Sequence, residues 1–211
     1  GRLYIDRVFS VKGFGTVVTG TLLDGPMHVN EEVYVYPGYG NVRIRTIQIH
    51  GETVEKAMPG QRTALNLPGI SKEDIHRGDV VCVTDRLQGT RMLDVSVQCL
   101  ADSPVSIRQW SRVRLLIGTE EVIGRAVPIG TEQIEPGQKG FLQLRLEQKE
   151  IFVNARDRFI LRTFSPMQTI AGGVVLDVHP KKHRRFHADV IERLQVLETG
   201  QIEAAVADFL C

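Results

Sequence analysis

The chemistry-bearing residues of this 211-residue chain fall into a few groups whose spacing limits what they can do. Lys181, Lys182, Arg184 and Arg185 set four permanent positive charges around His183, a grouping that suits either phosphate contact or a solvated linker between domains. Arg156, Arg158 and Arg162 offer further charge for an RNA backbone or for structural ion pairs, and Arg43 and Arg45 alternate with apolar residues as either a solvated strand face or a phosphate contact. In Val11-Lys12-Gly13-Phe14-Gly15-Thr16-Val17-Val18-Thr19-Gly20-Thr21 the glycines serve a tight hairpin through positive φ, or they thin a barrel edge so that an extended nucleic-acid end can lie near the backbone. By spacing alone Asp6 with Arg7 is an exposed ion pair and Arg62 a solvated strand residue. His50 stands alone at the end of an apolar run.

Several chemistries are excluded. His179, His183 and His187 recur every four residues, but Pro180 interrupts any helix that would align them, and Asp177 and Asp189 complete no zinc-binding spacing. There is no Gly-x-x-x-x-Gly-Lys-Ser/Thr loop to cradle a nucleotide phosphate, no Gly-x-Ser-x-Gly elbow and no Cys/His nucleophile spacing, so the chain is expected to be no enzyme by itself and to hold neither metal nor cofactor. With 26 basic and 25 acidic residues the formal charge is +1, and any contact with nucleic acid must come from local clusters. Cys82, Cys99 and Cys211 are widely separated and odd in number, which fits a reducing compartment and leads us to expect a cytoplasmic protein. No apolar run is long enough for a membrane helix, and the lack of an initiator Met suggests part of a longer protein.

The elements that must position these groups are mostly strands. Runs at Val8–Val11, Thr16–Leu23, Glu32–Tyr36, Val42–Ile49, Thr63–Leu67 and Val80–Val83, separated by turn residues, predict a closed β-barrel. Val33 and Val35 alternate with Tyr34 and Tyr36, which leaves the inward face of that run open. Val42 and Ile44 share one phase and Ile47 and Ile49 the other, which predicts a bulge near Arg45 and Thr46. A second series at Leu93–Leu100, Arg112–Ile117, Glu121–Pro128, Gly140–Leu146, Arg158–Thr163 and Thr169–Val178 predicts a second barrel, with Val113, Leu115 and Ile117 on one face of one strand and Leu142, Leu144 and Leu146 on one face of another. After Pro180, Phe186, Val190, Ile191, Leu194 and Leu197 take helical spacing, and Thr199 is placed to cap a second helix through Ile202, Ala205, Val206, Phe209 and Leu210.

Gly13-Phe14-Gly15-Thr16-Val17-Val18-Thr19-Gly20 is similar to the start of domain two in elongation factor Tu-like translational GTPases. Ile5-Asp6-Arg7-Val8-Phe9-Ser10-Val11-Lys12-Gly13 resembles the selenocysteine-specific elongation factor family in particular, as does Ala171-Gly172-Gly173-Val174-Val175-Leu176-Asp177 followed by Pro180-Lys181-Lys182-His183. The resemblance implies a mostly β protein of two elongation factor Tu-like barrels in tandem, residues 1–87 and 88–180, then a basic linker and helices, 181–211, that begin a winged-helix region. It implies an aminoacyl pocket at Asp6, Arg7 and Arg62; His50, from its position at the end of the Val42–Ile49 run, is a secondary candidate for that pocket or a structural histidine. Gly13, Gly15, Thr16, Arg43, Arg45, Arg156, Arg158, Arg162, Lys181, Lys182, Arg184 and Arg185 become candidate tRNA contacts. A selenol is more acidic than a thiol, so two guanidiniums favour the selenocysteine anion over neutral serine or cysteine, by ~2 kcal/mol on the scale of hydrogen bonds to charged groups. Asp6 would orient an arginine or bind the esterified amino group. The implied partners are selenocysteinyl-tRNA and the ribosome. An N-terminal GTPase domain outside this chain would carry GTP and magnesium, and further C-terminal domains would reach a selenocysteine insertion hairpin in the messenger RNA. The alternative is a tRNA- or protein-binding double barrel of another translational GTPase, which the basic helical extension argues against.

Overall fold

The computed structural model describes residues 1–200, and their contacts divide into two compact units, Gly1–Gly89 and the chain from Thr90 onward. The eight-stranded sheet of the first unit comprises β1 (Arg2–Val11), β2 (Gly15–Leu23), β3 (Glu32–Tyr36), β4 (Asn41–Arg43), β5 (Thr46–Ile49), β6 (Glu52–Val54), β7 (Arg62–Leu67) and β8 (Val80–Cys82). They hydrogen-bond in the order β4-β3-β8-β1-β2-β7-β5-β6. β-branched and aliphatic residues at every second position face inward, so Leu3, Ile5, Val18, Leu22, Val33, Val35, Ile47, Leu65 and Leu67 are buried. Val33 and Val35, rather than Tyr34 and Tyr36, are the inward pair of β3.

The run expected as one bulged strand from Val42 to Ile49 is two strands, because fully buried Ile44 and exposed Arg45 step out of the ladder between β4 and β5. The Arg45 amide is still satisfied, donating to the Asn66 carbonyl at 3.0 Å. Since β4 ends the sheet on one side and β5 lies next to its other end, this two-residue step rolls the sheet into a barrel. The ring is therefore completed by the chain itself.

Two local features of the sheet matter below. Register slips between Ile5 and Arg7, so Ile5 faces Gly20, Arg7 faces Thr19, and Asp6 bulges out of the pairing. The β1–β2 turn closes through the Phe14 amide on the Val11 carbonyl at 2.9 Å, with Gly13 and Gly15 at φ +84 and +86 and open space where a side chain would stand. Those two glycines answer to backbone angle. Gly20 answers to proximity, for a Cβ there would lie 2.2 Å from the Tyr4 carbonyl oxygen.

The second unit is a closed six-stranded barrel of β9 (Met92–Cys99), β10 (Ser111–Ile117), β11 (Glu120–Ile129), β12 (Lys139–Leu146), β13 (Arg158–Thr163) and β14 (Thr169–Asp177), in the order β9-β12-β11-β10-β13-β14. Val113, Leu115 and Ile117 point inward, as do Leu142, Leu144 and Leu146. Alternation fails where the outside is also covered: Val127, Pro128 and Ile129 are buried in succession, as are Leu142, Gln143 and Leu144. The cover is helix α1 (Ala188–Thr199), whose Val190, Ile191, Leu194 and Leu197 pack on Val127, Ile129, Phe141, Val174 and Leu176. The helix begins at Ala188 and not directly after Pro180, because His183 and Arg185 are drawn into contacts with the barrel and hold the intervening chain out of helical conformation. It ends at Gly200 in the left-handed conformation. The Thr199 hydroxyl bonds back to the Val196 carbonyl, and the second helix expected from Ile202 lies outside the described residues.

Candidate functional site

Three adjacent strands of the first barrel build the Asp6 cluster. The bulge turns the Asp6 carboxylate to the outer face, where Thr19 on β2 donates to Oδ1 at 2.8 Å. Arg62, the first residue of β7, lies opposite Thr21 and grips the same carboxylate with both terminal nitrogens, Nη2 to Oδ1 at 3.0 Å and Nη1 to Oδ2. Burial pushes the Asp6 carboxyl up, but the hydrogen bonds from Arg62 and Thr19 and the charges of Arg62 and Arg7 outweigh it and hold the group below the ordinary carboxylate range. The same bonds raise the Arg62 guanidinium. The Asp6 carboxylate is therefore occupied by Arg62 and Thr19. Arg7 is exposed and makes no hydrogen bond or ion pair among the described residues, so the trio carries one surplus positive charge beside a neutralised pair. His50 sits in the β5–β6 turn at φ +53; since Ile49 pairs with Thr63, it lies at the level of Arg62.

The same outer face is hollowed into a pocket of about 170 Å³ lined by Val11, Phe14, Val17, Gln48, Ala64 and Asn66 among others. Asn66 is buried and donates from Nδ2 to the carbonyls of Phe14 at 2.7 Å and Thr16 at 3.2 Å, tying the β1–β2 turn to β7. Its Oδ1 is the one buried side-chain oxygen or nitrogen without a partner among the described residues. Phe14 and Val11 at the rim are 54% and 41% exposed, leaving an apolar wall beside an unspent acceptor. Gly13 and Gly15 form the exposed turn, whereas Thr16 is buried with its hydroxyl on the Ile70 carbonyl; Arg43 and Arg45 are exposed and unpaired among the described residues.

On the second barrel the register assembles a row that no single segment displays. Arg112 faces Arg125, Arg125 faces Arg145, and Arg114 faces Arg162, across β10, β11, β12 and β13. Glu147 accepts from Arg112 at 2.7 Å and Arg125 at 2.8 Å, and Glu121 accepts from Arg114 at 2.7 Å. Arg112 stacks 3.9 Å from the Phe164 ring centroid and Arg145 lies 5.1 Å from that of Trp110. Arg162 is half-buried and Arg158 exposed, both without an ion pair among the described residues. Beside the row a pocket of about 530 Å³ is lined by Ser106, Arg108, Ser111, Arg112, Phe164 and Ser165 among others. Arg156 and Arg185 belong elsewhere: Arg156 donates to the carbonyls of Leu197 and Glu198, and Arg185 to those of Pro128, Thr131 and Glu132, so their donors are spent within the unit. Lys181, Lys182 and Arg184 are exposed.

Two family models match. Residues 15–82 match elongation factor Tu domain 2, and residues 93–182 match the β-barrel domain of the selenocysteine-specific elongation factor. The chain is 36% identical over 196 residues to a selenocysteine-specific elongation factor of Desulfomicrobium baculatum, covering 93% of this chain and 31% of that protein. Across both barrels the chain is similar to the selenocysteine-specific elongation factor family. A relative of the same name in Haemophilus influenzae is 34% identical over 186 residues, 87% of this chain and 29% of its own length. An elongation factor 1-alpha of Methanobrevibacter smithii is 28% identical over 200 residues, 86% of this chain and 48% of the relative. The first barrel is thus of a kind shared among elongation factors, and the second carries the family-specific match. The chain spans about a third of the length of the first two relatives.

Proposed function

We propose that this chain is the aminoacyl-tRNA-binding body of a selenocysteine-specific elongation factor, receiving selenocysteinyl-tRNA for delivery to the ribosome. The observation that carries the reading is the Asp6–Arg62 pair, fixed on the outer face of the first barrel beside unpaired Arg7. Asp6 spends its charge on holding Arg62 in one orientation, and Arg7 supplies the excess positive charge. A selenolate entering there gains charge-assisted hydrogen bonds, while a neutral serine hydroxyl gains only ordinary ones, so discrimination follows charge rather than size. The neighbouring pocket suits a terminal nucleobase, with Val11, Phe14 and Val17 offering an apolar surface for stacking. The arginine row of the second barrel suits phosphates, which it would position without reading sequence.

GTP and magnesium belong in this reading to a further domain of the whole protein, since no residue here forms a phosphate-cradling loop. Contact with the ribosome and with a selenocysteine insertion hairpin in messenger RNA is assigned to the whole protein as well. In full-length protein with GTP, selenocysteinyl-tRNA should bind much more tightly than its seryl precursor, and Arg62→Ala should remove most of that difference. Equal binding of the two tRNAs by the wild type would refute the pocket assignment.

A further inference from the structure

The basic run after Pro180 has the composition of a solvated linker, yet alternate residues are turned into the second barrel. His183 Nε2 meets Asp94 Oδ2, with side chains 7% and 0% exposed. The other Asp94 oxygen accepts from Gln143 Nε2 at 3.0 Å, and that same amide donates to the Lys181 carbonyl at 2.9 Å. Two residues on, Arg185 reaches the carbonyls of Pro128, Thr131 and Glu132 and the Gln109 amide oxygen, while the Gly130 amide donates to the Arg185 carbonyl. Lys182, Arg184 and Phe186 are the outward set, the last 58% exposed.

The helix that follows is held at its middle and at its C-terminal end. Arg193 pairs with Asp177, and Glu198 bonds both Ser96 and Lys139. Arg156 donates to the Leu197 and Glu198 carbonyls, which the helix leaves unsatisfied, and adds a cation at the negative end of its dipole. Between these anchors Leu194 is fully buried on Val127, Ile129 and Leu176. A linker needs none of this. A fully buried carboxylate such as Asp94 is tolerated only while its partners stay in place, which makes His183 a latch.

We propose that residues 181–200 are a strap docked on the second barrel and latched by the buried His183–Asp94 pair, so that the chain does not articulate at Pro180. Lys182 and Arg184 are then displayed on a rigid backbone. Hydrogen exchange of the 211-residue chain, followed by mass spectrometry, tests this without RNA or nucleotide, independently of the tRNA-binding reading. Amides of 190–197 should exchange about a hundredfold or more slower than in a free peptide. His183→Ala should speed exchange across 184–199 by about tenfold or more while β10 and β13 keep their protection, and His183→Gln, which retains a donor for Asp94, should restore most of the loss. Arg185→Ala should loosen the same segment, and it carries the test if His183→Ala fails to fold. Free-peptide exchange in the wild type overturns the strap. Unchanged exchange in the variants, or loss spread evenly over the whole barrel, overturns the latch.

Discussion

Asp6 keeps its charge because Arg62 and Thr19 hold it, and that dependence has a pH signature. Its folded value lies below its unfolded one, so the stabilisation is complete above about pH 4 and disappears as the pH falls through the depressed folded value. An NMR titration should show this carboxyl titrating below the ordinary range, and Arg62→Ala should move its midpoint upward, since the burial remains when the partner goes. Asn66→Ala should cost about 1–3 kcal/mol through the two bonds to the β1–β2 turn, seen as a lowered melting point and faster exchange near Phe14. Asp6, Arg7 and Arg62 stand out from the sequence only through a family resemblance, because local spacing makes each an ordinary surface charge. Thr19 and Asn66 carry no such mark: a threonine and an asparagine in strands become a donor to Asp6 and a free acceptor only when β1, β2 and β7 lie side by side.

Among the elements, α1 tests how far docking depends on apolar packing. Leu194→Ala should weaken the helix on the barrel by about 2–5 kcal/mol, read from the opening free energy of its amides, whereas Phe186→Ala should stay within about 0.5 kcal/mol. The strands were readable from turn residues and period-two alternation, and the boundaries of β3 and β13 coincide with the runs expected for them. Where the alternation is broken, as at Val127 to Ile129, the cause is a helix more than fifty residues away in sequence, which no local window contains. The basic run misleads for a related reason. Composition describes what solvent would prefer, and the partners of His183 and Arg185 are Asp94 and the Pro128–Glu132 carbonyls, supplied by tertiary structure.

For the whole molecule, counterion release separates the arginines that face solvent from those the fold consumes. In titrations of full-length protein with tRNA across salt concentration, removing Arg158 or Arg162 should each flatten the slope of log affinity against log salt by about 0.7–0.9. Arg156→Ala and Arg185→Ala should leave that slope unchanged, since both side chains already bond carbonyls of their own unit. The row itself was hidden in the sequence because its members alternate with apolar residues in four separate strands and meet only through register.

The slip at Asp6 has a consequence for how such a protein can change. Ile5 faces the core, Arg7 the outside and Val8 inward again, so the strand would alternate without interruption if Asp6 were simply removed. Deleting that single codon should leave the first barrel folded, with the thermal unfolding of its sheet little altered, while Arg62 loses its orienting partner. The scaffold and the chemistry are then inherited as separable parts: one inserted residue adds or withdraws the carboxylate, and the remainder of the barrel need not be rewritten around it.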